Sequence, residues 1–169
     1  WMSMGPPHHP VEAPDEFWNL FSPSQFTPAP GVDEVLPPAL RDELKAHMAA
    51  YYAMIAFVDS EVGRTMDGLA QLGIEQNTIV VYLSDHGDLL GAHFDSLFAS
   101  QRSDAPEPSD PARAELGFSS FAASLMRYKN VPYTSAFRIP FIVRWPAKIP
   151  EGLRVDALAS TLDIPPTIL

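Results

Sequence analysis

Asp85 and His86 are the residues of this chain whose types and position best suit chemistry. They follow the apolar run at residues 77–84 and stand directly before Gly87, within TIVVYLSDHGDLLGAHFD. A carboxylate and an imidazole side by side can bind a divalent metal ion, and the glycine permits a sharp turn that aims both inward. The same residues could instead form an Asx-type turn that only ends a strand. On these residues alone the two interpretations stand equal.

The surrounding pattern predicts a helix, a tight turn and a strand that together position this pair. Residues 39–72 repeat apolar side chains at spacings of three and four, with Pro before the first turn and Gly73 after the last. This pattern predicts one long helix, or a helix that is broken once near its first third. Its apolar positions are Tyr51, Met54, Ile55, Val58, Val62, Met66 and Leu69. The β-branched run at 77–84 is typical of a strand buried on both faces of a parallel sheet. Ligands of such α/β sheets bind at the carboxyl ends of the strands.

The other segments give weaker structural signals. Residues 1–37 are rich in Pro and aromatic residues, which predicts an extended, irregular segment. Residues 96–126 form a predicted polar insertion, whose Pro-rich stretch 100–116 is expected to be a solvated loop or disordered. A short amphipathic helix is predicted in ELGFSSFAASLMRYKN, at residues 115–130. A second strand is expected at 138–145, and a third strand or strand-like edge in VDALASTLDI.

Composition limits the partners of the chain. Its 169 residues are 46% hydrophobic and 19% charged, which fits one compact globular domain. The net charge of −10 and the lack of a basic run disfavour nucleic acid and anionic membranes as partners. No apolar run reaches the length of about 20 residues that a membrane helix needs. The absence of Cys excludes disulfides and thiolate metal sites. Both ends look cut from a longer polypeptide, so localisation is left open.

Several motifs occur in an order that resembles the type I sulfatases. The block YYAMIAFVDSEVGRTMDGLAQLGIEQNTIVVYLSDHGDLLGAH, followed by PYTSAFRIPFIVRWPAKIPEG and VDALASTLDIPPTIL, is similar to the C-terminal half of their catalytic domain, within the alkaline-phosphatase-like superfamily. The resemblance covers nearly the whole chain except about residues 96–126. It implies an α/β fold with a mostly parallel sheet flanked by helices, of which residues 1–169 form one part.

The resemblance assigns metal and sulfate contacts to two motifs. Asp85 and His86 match the pair that supplies two ligands of a divalent cation, usually Ca²⁺, with Mn²⁺ as the alternative. His8, in PPHHPVEAP, matches a histidine that contacts the sulfate. Its neighbour His9 would point to the opposite side of an extended segment. The alternative is that His8 and His9 are two adjacent histidines on a surface loop with no role in a site.

The resemblance also implies a lysine and a third histidine at the substrate pocket. Lys129 stands where the family has a lysine, before PYTSAFRIPFIVRWPA, although Thr134 and Ser135 replace the usual glutamates. Without the resemblance, Lys129 would count as an ordinary solvated side chain. His93 fits the family spacing as a pocket residue, although Phe94 replaces a glycine.

The nucleophile implied by the resemblance is not expected in this chain. The family makes a formylglycine from the Cys or Ser of a C/S-x-P-x-R motif, on a segment N-terminal to these residues that also carries two more metal carboxylates. SDPAR at 109–113 fits the motif formally, but its place in the polar insertion makes it a coincidence. We therefore expect part of a metal-dependent hydrolase of small-molecule or glycan sulfate esters, inactive as this chain alone. Two alternatives stay open, namely a phosphonate monoester or phosphodiester hydrolase of the same superfamily, and a non-catalytic truncated or degenerate module.

Overall fold

The computed structural model describes residues 2–8, 10–32, 36, 38–93, 129 and 132–168. Its helices are α1 (Asp15–Trp18), α2 (Pro38–Gln71), α3 (Thr134–Phe137) and α4 (Ile164–Ile168), and its strands are β1 (Val80–Leu83) and β2 (Phe141–Arg144). Short 3₁₀ turns lie at Pro23–Gln25, Glu75–Asn77 and Thr161–Asp163. The predicted polar insertion at 96–126 and the amphipathic helix predicted at 115–130 fall outside the described residues, apart from Lys129.

Helix α2 confirms the long helix predicted from apolar spacing. It begins at Pro38, which suits a first turn because the missing N–H would have no partner there, and it runs without a break to Gln71. Gly73, with φ of +69°, ends the helix in the left-handed conformation. The buried side chains of α2 are Leu44, Ala49, Ala50, Ala53, Met54 and Val58. Within the described ranges, no helix combines the length and apolar character that crossing a bilayer requires.

The irregular N-terminal segment packs on α2 through aromatic rings. The ring centroids of Phe17 and Phe57 are 5.5 Å apart, and those of Phe26 and Tyr52 are 4.9 Å apart. Phe21 meets Tyr52 edge to face at 5.8 Å. Aromatic pairs in these geometries contribute about 0.5–1.5 kcal/mol beyond the area they bury. These contacts hold a segment that has little regular structure of its own.

Strands β1 and β2 form an antiparallel pair. Their register runs from Val80 opposite Arg144 to Leu83 opposite Phe141. Strand β1 lies inside the strand predicted at 77–84 and β2 inside the strand predicted at 138–145, so both segments are confirmed as strands. However, β1 is half-buried along its whole length rather than buried on both faces. The described residues contain no parallel strand pair, so the parallel sheet stays a prediction.

The third strand predicted at residues 155–164 is not formed. This stretch has no strand, and a 3₁₀ turn at Thr161–Asp163 leads directly into α4. Ser160 caps the turn, because its Oγ accepts a hydrogen bond from the N–H of Leu162 at 3.2 Å. Asp163 Oδ2 in return accepts one from the N–H of Ser160 at 2.6 Å. This capping box favours a helical turn, so the strand prediction was wrong.

A small apolar core joins α2 to the loop after β1 and to α3. Its buried members are Val32, Leu36, Leu44, Leu89 and Ala136. Full burial of a leucine side chain contributes about 1.5–3 kcal/mol. Since Leu89 lies four residues after Asp85, this core holds in place the loop that carries the Asp–His pair.

Candidate functional site

The chain turns sharply after β1 and carries Asp85 and His86 on the turn. The hydroxyl of Ser84 donates a hydrogen bond to the carbonyl oxygen of His86 at 2.7 Å. The backbone N–H of His86 donates to Asp85 Oδ1 at 3.0 Å. This contact joins neighbouring residues, whereas an Asx-type turn needs the N–H two residues on, that of Gly87, which donates to the carbonyl oxygen of Ala136 instead. The Asx-type turn considered from the sequence is therefore not formed, and the contact with His86 engages only Oδ1 of Asp85.

Gly87 connects this turn to α3 by backbone contact. Its N–H donates to the carbonyl oxygen of Ala136 at 2.7 Å. A Cβ atom at Gly87 would overlap the backbone carbonyl group of Ser135. Glycine is thus required here by the close approach of two backbones, and not by a positive φ angle.

The Asp85 carboxylate faces solvent, with its side chain 86% exposed. Slight burial raises the pKa of Asp85, but the neighbouring His86 and the hydrogen bonds from backbone N–H groups and the Ser84 hydroxyl outweigh it, so the net pKa lies below its ordinary value. The carboxylate is therefore ionised at neutral pH and open to a cation.

His86 presents one ring nitrogen to the same side as that carboxylate. Its Nδ1 lies 2.8 Å from the carbonyl oxygen of Gly87. A carbonyl oxygen can only accept, so Nδ1 carries the proton and Nε2 of the neutral ring keeps its lone pair. Nε2 lies 3.7 Å from Asp85 Oδ2. Metal-binding histidines are usually oriented in this way, by donating the other N–H to a carbonyl or carboxylate.

This donor set fits part of a divalent-cation site. One ionised oxygen and one imidazole nitrogen, both from the same turn, would hold the ion at Asp85 and His86. Among the residues that the structure describes, no group of three or more His, Asp or Glu side chains comes together to hold a metal ion. Further ligands would therefore have to come from outside those residues.

Lys129 lies beside the same loop, against a carboxylate that sequence reasoning did not single out. Its Nζ is 3.9 Å from Asp88 Oδ2, and both side chains are nearly buried. Asp88 Oδ1 accepts a hydrogen bond from the N–H of Leu90 at 3.1 Å. Burial raises the pKa of Asp88 above its ordinary value, against the lowering effects of the Leu90 N–H and of Lys129. The available signal was a second aspartate in DHGD, three residues after Asp85.

His93 lies against the segment that follows Lys129. Its ring stacks on that of Tyr133, with centroids 3.7 Å apart and planes 8° from parallel. The φ angle of His93 is +62°, in the left-handed region. The stack joins the end of the DHGDLLGAH segment to the start of α3. The pocket role of His93 stays a prediction.

His8 lies on an exposed turn in the N-terminal segment, where its N–H donates to the carbonyl oxygen of Gly5 at 3.0 Å. Its neighbour His9 falls outside the described residues. The structure thus brings Asp85 together with His86, and Lys129 together with their loop. The convergence of His8 on that loop stays a prediction.

Comparison with known proteins identifies the family. The family model named Sulfatase matches residues 1–169. An endo-4-O-sulfatase of Bacteroides thetaiotaomicron is 30% identical over 99% of this chain and 27% of its own length. An ulvan-active sulfatase of Formosa agariphila is 27% identical over 99% of this chain and 27% of its own length. An arylsulfatase of Clostridium perfringens is 26% identical, again over 99% of this chain and over 32% of its own length. The chain spans less than a third of these relatives and belongs to the sulfatase family.

Proposed function

We propose that this chain forms part of the catalytic domain of a divalent-metal-dependent sulfate ester hydrolase. Membership of the sulfatase family and the names of the relatives support the reaction class. The observation that supports metal dependence is the arrangement of His86 Nε2 and Asp85 Oδ2 on one side of a turn, 3.7 Å apart. The Gly87 carbonyl oxygen holds the imidazole in the tautomer that a cation requires.

The proposal extends to the fold of the complete domain. Strand β1 and its loop belong, in this proposal, to a mostly parallel, alkaline-phosphatase-like sheet flanked by helices, with residues 96–126 inserted between its elements. The half-buried faces of β1 and the exposed apolar side chains Leu153, Val155, Leu158 and Leu162 support contact with further parts of such a domain. Apolar side chains that are this exposed often mark a surface that contacts another part of a protein.

The cation site at Asp85 and His86 would hold Ca²⁺, with Mn²⁺ as the alternative. A cation bound there would polarise a sulfate oxygen as a Lewis acid. Asp85 contributes an ionised oxygen to it, and His86 contributes the Nε2 lone pair. Formylglycine, from a C/S-x-P-x-R segment outside these residues, would supply the nucleophile.

His8, His93 and Lys129 complete the proposed substrate contacts. The Lys129 ammonium donates hydrogen bonds to a sulfate oxygen, where negative charge grows during the reaction. The His8 imidazole contacts the sulfate and can give a proton to the leaving oxygen. His93 contacts the substrate at the edge of the pocket. Because the chain carries a net charge of −10, an anionic substrate depends on these local positive charges.

The proposed substrate is a small-molecule or glycan sulfate ester. The names of two relatives, an ulvan-active sulfatase and an arylsulfatase, support this substrate class. The acidic composition supports neither nucleic acid nor an anionic membrane as a partner.

Paired ester assays test the proposed reaction. The polypeptide that joins these residues to a C-x-P-x-R segment is assayed on 4-nitrophenyl sulfate, 4-nitrophenyl phenylphosphonate and bis(4-nitrophenyl) phosphate. We expect the highest kcat/KM on the sulfate, loss of activity with a chelator, and recovery with Ca²⁺ or Mn²⁺. The 169-residue chain alone should show no turnover, because catalysis depends on the assembled set of groups.

Each other outcome contradicts a stated part of the proposal. A higher kcat/KM on the phosphonate or phosphodiester would favour the corresponding hydrolase of the same superfamily. No turnover of any ester, with the C-x-P-x-R segment present and modified, would favour a non-catalytic module. Turnover by the 169-residue chain that disappears in Ser109→Ala would assign the nucleophile to SDPAR instead.

A further inference from the structure

Asp88 is a nearly buried carboxylate to which the proposed mechanism gives no role. Its Oδ2 lies 3.9 Å from Nζ of Lys129, and the two side chains are only 12% and 13% exposed. We propose that Asp88 is a positioning residue, which holds the Lys129 ammonium beside the turn that carries Asp85 and His86. The inference rests on the proposed function, because this placement matters only if the ammonium meets the substrate.

Asp85 and Asp88 lie on one loop but in opposite environments. The Asp85 side chain is 86% exposed, whereas that of Asp88 is 12% exposed. An exposed carboxylate suits an ion that arrives from solvent. A buried carboxylate needs a counter-charge or hydrogen bonds, since an unpaired buried charge is strongly unfavourable. Lys129 supplies that counter-charge, so Asp88 is assigned to Lys129 and Asp85 to the cation.

The loop holds the Asp88 carboxylate in a fixed orientation. Leu90, with φ of +45°, turns its N–H back to Asp88 Oδ1 at 3.1 Å. Gly91, with φ of +80°, lies against the side chain of Leu44 on α2, so closely that a Cβ atom there would come within 2.9 Å of it. One carboxylate oxygen is thus engaged by the backbone. The other remains for Lys129.

The length of the contact keeps Lys129 available to a substrate. At 3.9 Å the pair is longer than a charge-assisted hydrogen bond, which is about 2.7–2.9 Å. Asp88 therefore attracts the ammonium without engaging one of its N–H donors. A lysine side chain has many rotamers, and holding its end near one place before substrate arrives favours the productive arrangement.

A double-mutant cycle on the full-length protein tests this inference. Steady-state kinetics on 4-nitrophenyl sulfate compare Asp88→Asn, Lys129→Met and the double variant. Asn keeps the shape of Asp88 and an oxygen for the Leu90 N–H but removes the charge. We expect Asp88→Asn to lower kcat/KM roughly 10- to 100-fold, mainly through kcat. In the Lys129→Met background the same change should alter kcat/KM by less than about 2-fold.

Two further variants complete the design. Asp88→Glu keeps the charge and should recover part of the activity lost in Asp88→Asn. If Asp88→Asn does not fold, Asp88→Ser, which also removes the charge, takes its place in the cycle. Glu75→Gln is the matched control, because Glu75 forms an ion pair of similar length with Arg144, 3.7 Å, outside the loop. It should change kcat/KM by less than about 2-fold.

The outcomes separate this inference from the proposed function. Equal losses for Asp88→Asn in the wild-type and Lys129→Met backgrounds would overturn the positioning role. So would loss of bound Ca²⁺ in Asp88→Asn, because Asp88 would then serve the cation. A wild-type protein without sulfatase turnover would overturn the proposed function, and the inference with it, whereas an active wild type matched by Asp88→Asn would overturn the inference alone.

Discussion

Gly87 and Ser135 are in backbone contact, so that the carbonyl group of Ser135 occupies the space where a side chain at position 87 would lie. Beside this contact, the Gly87 N–H donates to the carbonyl oxygen of Ala136 at 2.7 Å. The turn bearing the Asp–His pair is therefore fastened to α3 through main-chain atoms. A change at Gly87 must displace either α3 or the turn.

Gly87→Ala should destabilise the protein and weaken the proposed binding of Ca²⁺. Forcing a methyl group into a filled site typically destabilises by about 1–3 kcal/mol. Gly63→Ala is the matched control, because nothing lies within 4 Å of a Cβ atom at that helical position, and alanine there should stabilise by up to about 1 kcal/mol. Urea unfolding and calorimetric titration with Ca²⁺ measure both effects. Equal unfolding free energies for the two variants would contradict the close approach of Gly87 to Ser135.

Asp85→Ala should abolish divalent-cation binding in the full-length protein. A hard cation such as Ca²⁺ prefers oxygen ligands, so the loss should exceed that of His86→Ala; with Mn²⁺ the two losses should be comparable. Asp59→Ala, which removes an exposed carboxylate on α2, should leave the affinity unchanged. Isothermal titration calorimetry with each ion provides the affinities. If the affinity for both ions were unchanged in Asp85→Ala, the turn would only end the strand and would not bind a cation.

Tyr51 should make the stability of the protein fall at high pH. Burial, with a smaller effect from the Asp88 carboxylate, raises the pKa of Tyr51 to about 12 from an ordinary value of 10.0. The folded state therefore keeps the phenolic proton where the unfolded chain has lost it. The resulting stabilisation is complete below pH 10 and declines as pH rises towards 12.

Denaturant unfolding between pH 9 and pH 12, a range chosen around the ordinary and raised pKa values of Tyr51, checks this expectation. The Tyr51→Phe variant has no phenol to titrate, so its unfolding free energy should fall less across the range. A parallel decline for wild type and Tyr51→Phe would show that other groups cause the effect.

Met54→Ala should be far more destabilising than Ile55→Ala, although the two residues are adjacent on α2. Met54 is 0% exposed and Ile55 is 40% exposed. Removing the buried methionine leaves a cavity and should lower the free energy of unfolding by about 2–5 kcal/mol. For the half-exposed isoleucine the loss should stay below about 2 kcal/mol. Urea unfolding measures the free energy of unfolding of both variants. Equal losses of unfolding free energy would contradict the difference in burial between Met54 and Ile55.

Local patterns were sufficient to predict α2 and β1, because apolar spacing and flanking residues act over a few neighbours. The periodic pattern could not separate Met54 from Ile55, since burial depends on which side of the helix the rest of the chain covers. The apolar run before Ser160 suggested a strand, but the S-x-x-D cap at Ser160–Asp163 outweighed it. The S-x-x-D spacing of this cap is present in the sequence itself.

Local patterns predicted the candidate site only where its residues are neighbours in the chain, and Lys129 was predicted through the family resemblance alone. Asp85 and His86 are adjacent, so their shared turn followed from the end of β1. The contact between Asp88 and Lys129 depends instead on how α3 and its preceding segment fold back onto the loop. No local spacing encodes that approach, and for this reason Asp88 escaped notice.

The stack between His93 and Tyr133 bears on the length of the chain between them. The two rings, 3.7 Å apart, bring together the two ends of the intervening stretch of chain. In general, the free-energy cost of bringing the two ends of a chain segment together grows slowly with its length, by about 0.6 kcal/mol for each doubling. A change in the number of residues between His93 and Lys129 should therefore cost little and leave the geometry of Asp85 and His86 unchanged. The length of this stretch can therefore differ without a change in the loop that carries Asp85 and His86.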